Sequence, residues 1–237
     1  MIVGVLLAVL FIIIVLIIWL CFNPKFKIYS RSDAPTKGKL IALTFDDGPN
    51  SDSSGEILRI LKRNSVKATF FVVGKNVGKY PDLLRKAFRD GHLIGNHSYL
   101  HDYRMARGSK AAVEDIEATS DAIYKVINRK PAFYRPPFGL RTPWGARAVN
   151  KSGYFIVTWD NMTYDYWGLS SERIVRNIVN NSRPGGIIVL HDGREGFSRP
   201  GSLNTVEALP GIIENLKQQG YKFVKLDELF GVSGYQA

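Results

Sequence analysis

Two histidines four residues apart, His97 and His101 in Gly95–His101 (GNHSYLH), form the first spacing in the chain that suggests chemistry. On one helical turn, side chains at i and i+4 share a face, so both imidazoles reach one cation. By itself the pattern is equally that of two solvated surface histidines. A third ligand is needed, and carboxylates stand in Thr44–Pro49 (TFDDGP). Adjacent aspartates project in different directions, so one of the pair binds a metal while the other is left to take a proton. Gly48-Pro49 then turns the chain sharply. The plain alternative is an Asp-rich strand-to-helix turn with ordinary capping. Further along lie Arg135 in Arg135–Gly139 (RPPFG) and His191 in Leu190–Gly193 (LHDG). Structurally, Arg135 would anchor the Pro136-Pro137 turn through carbonyls, and His191 would cap a strand end. Functionally, Arg135 would pair with a carboxylate and orient it as a base.

These residues need elements that converge. Leu40–Phe45, Ala68–Val73, Ala132–Tyr134, Tyr154–Trp159, Ile187–Leu190 and Lys222–Val224 read as short buried strands, with His92–Asn96 ambiguous. Helices are predicted over Ser53–Arg63, Pro81–Asp90, Ala111–Val126, Pro143–Lys151, Ser171–Asn181 and Thr205–Gln219. Alternation repeated about seven times implies parallel β/α units, as a barrel or a doubly wound sheet, which periodicity does not separate. Asp46-Asp47, His97, Arg135, Asp160 and His191 each stand at or just after a strand. In a β/α barrel those strand ends face one rim, where sites are built.

Taken in order, TFDDGP, GNHSYLH, RPPFG and LHDG, with the tail TVEALPGI and YKFVKLDEL, resemble the polysaccharide deacetylases with the NodB homology domain, carbohydrate esterase family 4. The resemblance runs from about Lys39 to Phe230. It implies a distorted (β/α) barrel of about seven parallel strands, and one divalent ion held by Asp47, His97 and His101, with zinc first and cobalt, nickel or manganese also suited. It further implies Asp46 as general base, His191 as general acid and Arg135 as the partner that orients the base. Phe138 matches the residue whose backbone N–H stabilises the oxyanion, and Leu190 the apolar floor under the acetyl methyl. Tyr166 and Trp167 read as sugar-stacking surfaces or as lid residues. One motif departs from the family pattern. Aligned from Trp159, Met162 falls where a histidine-tuning carboxylate is expected, and both Asp160 and Asp165 are candidates to replace it.

The chain has 237 residues, 32 Lys+Arg against 21 Asp+Glu, a net charge of +11 and one cysteine. A single thiol excludes a disulfide scaffold, and 45% hydrophobic residues exclude disorder for the bulk. No nucleic-acid motif accompanies the scattered basic residues, so no nucleic-acid partner is expected. Residues 1–22 carry no charge and would span about 33 Å as a helix. They lack the basic start and small residues of a cleaved signal peptide, so they read as a single-pass membrane anchor. Residues 23–38 read as a basic linker, and residues 39–237 as the catalytic domain. Lys25, Lys27, Arg31, Lys37 and Lys39 follow the span while no basic residue precedes it. The positive-inside rule therefore favours a cytoplasmic domain. A surface-glycan substrate favours the extracytoplasmic side, which is the expectation adopted.

The reaction expected is removal of N-acetyl groups from N-acetylglucosamine-type residues of peptidoglycan or a related surface glycan. The alternative substrate is a lipid-linked (polyprenyl-phosphate) N-acylated amino sugar within reach of the tether. Two readings belong to other classes. A non-haem Fe(II) oxygenase also uses two histidines and a carboxylate, and a sugar-binding protein could retain the fold without catalysis. Asp46 and His191 argue against both, since neither needs a base and an acid together.

Overall fold

The computed structural model describes residues 2–193 and 202–237. Met1 of the expected anchor lies outside the described residues. The central strand β1 (Leu40–Asp46) is buried from Ile41 onward and apolar except at Thr44 and Asp46. Around it run β2 (Thr69–Val72), β3 (Leu93–Asn96), β4 (Phe133–Tyr134), β5 (Phe155–Ile156), β6 (Asn161–Met162) and β7 (Ile187–His191). The order is β5-β4-β3-β2-β1-β7-β6, all parallel, and β8 (Lys222–Val224) pairs with the start of β1. This is the expected distorted parallel barrel. Register matters for the site: Asp46 on β1 stands opposite His191 on β7.

Strand alternation divides the core in two. Outward residues Leu43, Phe45, Ile188 and Leu190 pack with Ile57 and Leu61 of α2 (Ser54–Arg63) and with Ile212 and Leu216. Inward residues Ala42, Phe71, Val157, Trp159, Ile187 and Val189 fill the barrel. Leu190, fully buried in the outer cluster, is therefore not the floor of a substrate pocket. It lies one residue before His191 on β7, and successive strand residues point to opposite faces.

Two features differ from the sequence expectation. His97–His101 is a loop after β3, not a helical turn. Polar side chains pin it: Asn96 Oδ1 accepts from the Ser98 N–H at 3.0 Å, Asp115 Oδ1 from the Tyr99 N–H at 3.1 Å, and Ser98 Oγ from the His101 N–H at 3.1 Å. Local side-chain acceptors compete here with helical bonding.

The second concerns the stretch expected as a linker. Arg31 bridges Val157, and Asp33 bridges Gly186. The Arg31 N–H donates to the Ile156 carbonyl at 3.0 Å, and the Thr158 N–H donates to that of Arg31 at 2.8 Å. Residues 31–33 thus occupy the gap between the two ends of the sheet and meet open backbone groups there. Ahead of them, α1 (Ile2–Phe22) is the one helix among the described residues long and apolar enough to cross a membrane, with a mean hydropathy of 3.5.

Candidate active site

Asp47, His97 and His101 converge at the C-terminal rim of the barrel. Asp47 Oδ1 lies 3.4 Å from His97 Nε2 and 3.3 Å from His101 Nε2. Ligands about 2.0–2.1 Å from a tetrahedral ion stand about 3.3 Å apart, so this donor set fits a borderline divalent cation. His97 Nδ1 lies 2.7 Å from the Arg135 carbonyl, which fixes the tautomer and leaves Nε2 to the ion. Burial by itself would raise the Asp47 pKa. The hydrogen bond from His97 and the surrounding imidazoles outweigh it and hold the carboxyl well below the usual range.

The aspartate turn is held from behind. Asp192, buried beneath it, accepts from the Gly48 N–H at 3.1 Å and from Ser54 Oγ at 2.6 Å. Burial pushes its pKa up to about 7. A Cβ on Gly48 would lie 2.3 Å from the Asp192 carboxylate, and one on Gly193 would lie 2.4 Å from the Asp47 carbonyl. Seven non-glycine residues have positive φ among the described residues, and Asp47, Ser98, His101, Phe138 and Tyr164 of these lie in the site loops. Strained backbone gathers where side chains must be aimed against local preference.

Asp46 and Asp47 differ in their nearest partners, although His97 Nε2 also stands 3.9 Å from Asp46 Oδ2. Arg135, fully buried, donates Nη1 to Asp46 Oδ1 at 2.7 Å and to Thr44 Oγ1 at 2.7 Å. Its Nη2 donates to the Thr158 carbonyl at 3.0 Å, and its guanidinium lies 4.1 Å from the centre of the Phe71 ring. Arg135 thus binds the Asp46 carboxylate as well as backbone carbonyl oxygen.

In the stretch that follows Trp159, Asp165 is the carboxylate that meets His191. Its Oδ1 lies 2.8 Å from His191 Nδ1, its Oδ2 accepts the His191 N–H at 2.8 Å, and Thr205 Oγ1 donates to Oδ2 at 2.7 Å. Burial alone would lower the His191 pKa, but the Asp165 carboxylate holds it up at about 9. Asp160 is used elsewhere. Its carboxylate accepts from the Ile187 N–H at 2.6 Å and from Arg183 Nε at 2.5 Å, away from His191.

A cavity of about 330 Å³ joins these groups. Asp46, Asp47, His97, His101 and His191 line it. Phe138, Tyr166 and Trp167 line it, and so do Trp159, Met162 and Tyr164, to which the sequence assigns no place in it. Phe138 packs edge-on to His101 at 4.8 Å and stacks on Tyr103 at 4.6 Å. Tyr166 meets His191 edge-on at 4.7 Å, and Tyr164 stacks on Trp167 at 5.1 Å. Thr44 and Thr205 were also missed, because a lone threonine carries no sequence signal.

The geometry coincides with a clear relationship to known proteins. The profile of the family described as Polysaccharide deacetylase matches residues 33–157, more than half of the chain. The chain belongs to the polysaccharide deacetylase family. Members of this family are carbohydrate esterases that hydrolyse amide bonds, so the expected class of enzyme holds. A peptidoglycan-N-acetylglucosamine deacetylase of Bacillus cereus is 34% identical over 91% of this chain and 77% of its own length. The peptidoglycan-N-acetylmuramic acid deacetylase PdaA of Bacillus subtilis is 30% identical over 82% of this chain and 72% of its own length. Among solved structures, the Bc1960 peptidoglycan N-acetylglucosamine deacetylase superposes with a TM-score of 0.82 at 33% identity, covering 88% of this chain and 95% of that one. The deacetylase family depends on a metal ion, and the Asp47, His97 and His101 cluster is a site suited to one.

Proposed function

We propose that this chain is a metal-dependent N-deacetylase acting on N-acetylglucosamine-type residues of peptidoglycan or a related cell-surface glycan. The observation that carries the reading is the placement of two carboxylates and a charged histidine around one three-ligand cluster. Asp46 is held by Arg135, Asp47 faces the imidazoles, and His191 is held by Asp165.

Asp47, His97 and His101 would hold a divalent ion such as zinc, which would supply Lewis-acid polarisation of the amide carbonyl and a more acidic water. Asp46 accepts the proton of the attacking water, with Arg135 fixing which oxygen faces it. His191, charged at neutral pH, gives a proton to the departing amine from Nε2, since Nδ1 is engaged by Asp165. The Phe138 backbone N–H is assigned to the oxyanion, a contribution of about 3 kcal/mol for one such donor. The aromatic walls at Tyr166 and Trp167 exclude water and stack on pyranose faces.

Helix α1 is assigned as a single-pass anchor, with the domain on the side of its polymer, outside the cytoplasm. The assay that tests the function measures acetate release from peptidoglycan and from chito-oligosaccharides, with and without chelation. Acetate release that chelation abolishes and zinc restores is the expected result. No release from any N-acetylated glycan overturns the reading.

A further inference from the structure

The catalytic cavity has a wall that the deacetylase chemistry does not call for. Besides the strand-end residues, Phe22 and Pro24 line it, the last residue of α1 and the second residue after it. Their placement is built. The Arg141 N–H donates to the Cys21 carbonyl at 2.9 Å. Its buried guanidinium donates Nη1 to the Phe26 carbonyl at 3.1 Å and to Ser30 Oγ at 2.8 Å, and Nη2 to the Asn23 carbonyl. Thr158 Oγ1 donates to the Pro24 carbonyl at 2.6 Å. The Phe22 carbonyl packs on the turn that carries Phe138, 3.7 Å from where a Gly139 Cβ would stand.

The last carbonyls of a helix have no intrahelical partner, and they form the negative end of its dipole. The Arg141 backbone N–H meets the Cys21 carbonyl, and its guanidinium reaches the Leu20 carbonyl at 3.5 Å and the Asn23 and Phe26 carbonyls just beyond the helix. Burying a charge on backbone oxygens is costly, and a free tether would not require it. We propose that Phe22 and Pro24 form a specificity-determining wall of the substrate cleft, and that Arg141 is the positioning residue that locks this segment onto the catalytic domain. The glycan then lies between this wall and the Tyr164–Trp167 stack, with sugars beyond the reacting one touching the end of the anchor. The segment is thus a working part of the enzyme, and the cleft opens beside the point where α1 ends.

This inference rests on the deacetylase reading, and the test separates the two. Full-length protein in detergent micelles is compared with Phe22→Ala, Arg141→Gln and Thr158→Val. With an N-acetylglucosamine tetramer, Phe22→Ala is expected to raise KM about fivefold with kcat within about twofold, the scale of one lost apolar contact. Arg141→Gln and Thr158→Val are expected to raise KM likewise, and to speed tryptic cleavage after Lys25 and Lys27 about tenfold by releasing the segment. Metal content stays at a full equivalent throughout. Unchanged KM in Phe22→Ala, or unchanged cleavage in both clamp variants, overturns the inference. If the wild-type protein releases no acetate, it is the deacetylase reading that fails. Tetramer protection of Lys25 and Lys27 from trypsin, lost in Phe22→Ala, then decides the cleft wall.

Discussion

Asp165 engages His191 through both its ring and its backbone, with the carboxylate 2.8 Å from Nδ1 and 2.8 Å from the amide nitrogen. The imidazole is therefore fixed in orientation and in tautomer, with Nε2 turned toward the cavity that His191 lines.

The pair makes a pH prediction with a definite sign. The folded pKa of His191, about 9, lies above the ordinary value of about 6.5. Its stabilising contribution is complete below about pH 6.5 and disappears as pH rises through about 9. Activity should fall over the same basic limb as the general acid is lost. In Asp165→Asn that limb should move down by about one to two pH units. A kcat/KM profile against pH checks this, and an unmoved limb removes His191 from the acid role.

The two adjacent aspartates should separate in phenotype. Asp46→Asn should keep a full equivalent of metal while kcat falls about 10²-fold or more. Asp47→Asn and His97→Ala should lose the metal, because a three-ligand site cannot spare one. Metal analysis of the purified variants beside their turnover rates distinguishes the roles. Metal loss in Asp46→Asn would mean the assignments are reversed.

Arg135 is expected to matter for stability as well as rate. Arg135→Ala leaves Asp46 buried without its cation, and breaking a buried pair from one side costs about 3–5 kcal/mol. Denaturant unfolding measures the loss, and a change below about 1 kcal/mol would place this pair with exposed ones.

Gly193→Ala should act on the metal from a distance. The added Cβ would stand 2.4 Å from the Asp47 carbonyl, so the aspartate turn must shift. Metal affinity should drop about 10–100-fold, as when groups supporting a ligand are disturbed. A competition titration with a chromophoric chelator reads this directly.

The strand-end chemistry was legible in the sequence because it is local. A short apolar run followed by a charged residue marks both a buried strand and its exit. Asp46, Asp47, His97, Arg135 and His191 could be collected this way; four of them line one cavity, and Arg135 binds the Asp46 that lines it. Where local periodicity is silent, only the tertiary structure decided. Asp160 and Asp165 look alike in sequence. The choice follows from the pairing of β6 with β7 and from the left-handed turn at Tyr164, which carry Asp165 to His191 and Asp160 to Arg183. Leu190 stands beside His191, yet strand alternation sends it to the outer core. His97 and His101 converge through a pinned loop instead of a helical turn. Residues 31–33 read as tether because polar, basic composition resembles solvated chain; they close the barrel because open backbone groups between Val157 and Gly186 needed partners. Spacing along the chain determined which groups could do the chemistry. Contacts between residues far apart along the chain, such as Asp46 beside His191 and Arg135 on Asp46, decided which of them face each other.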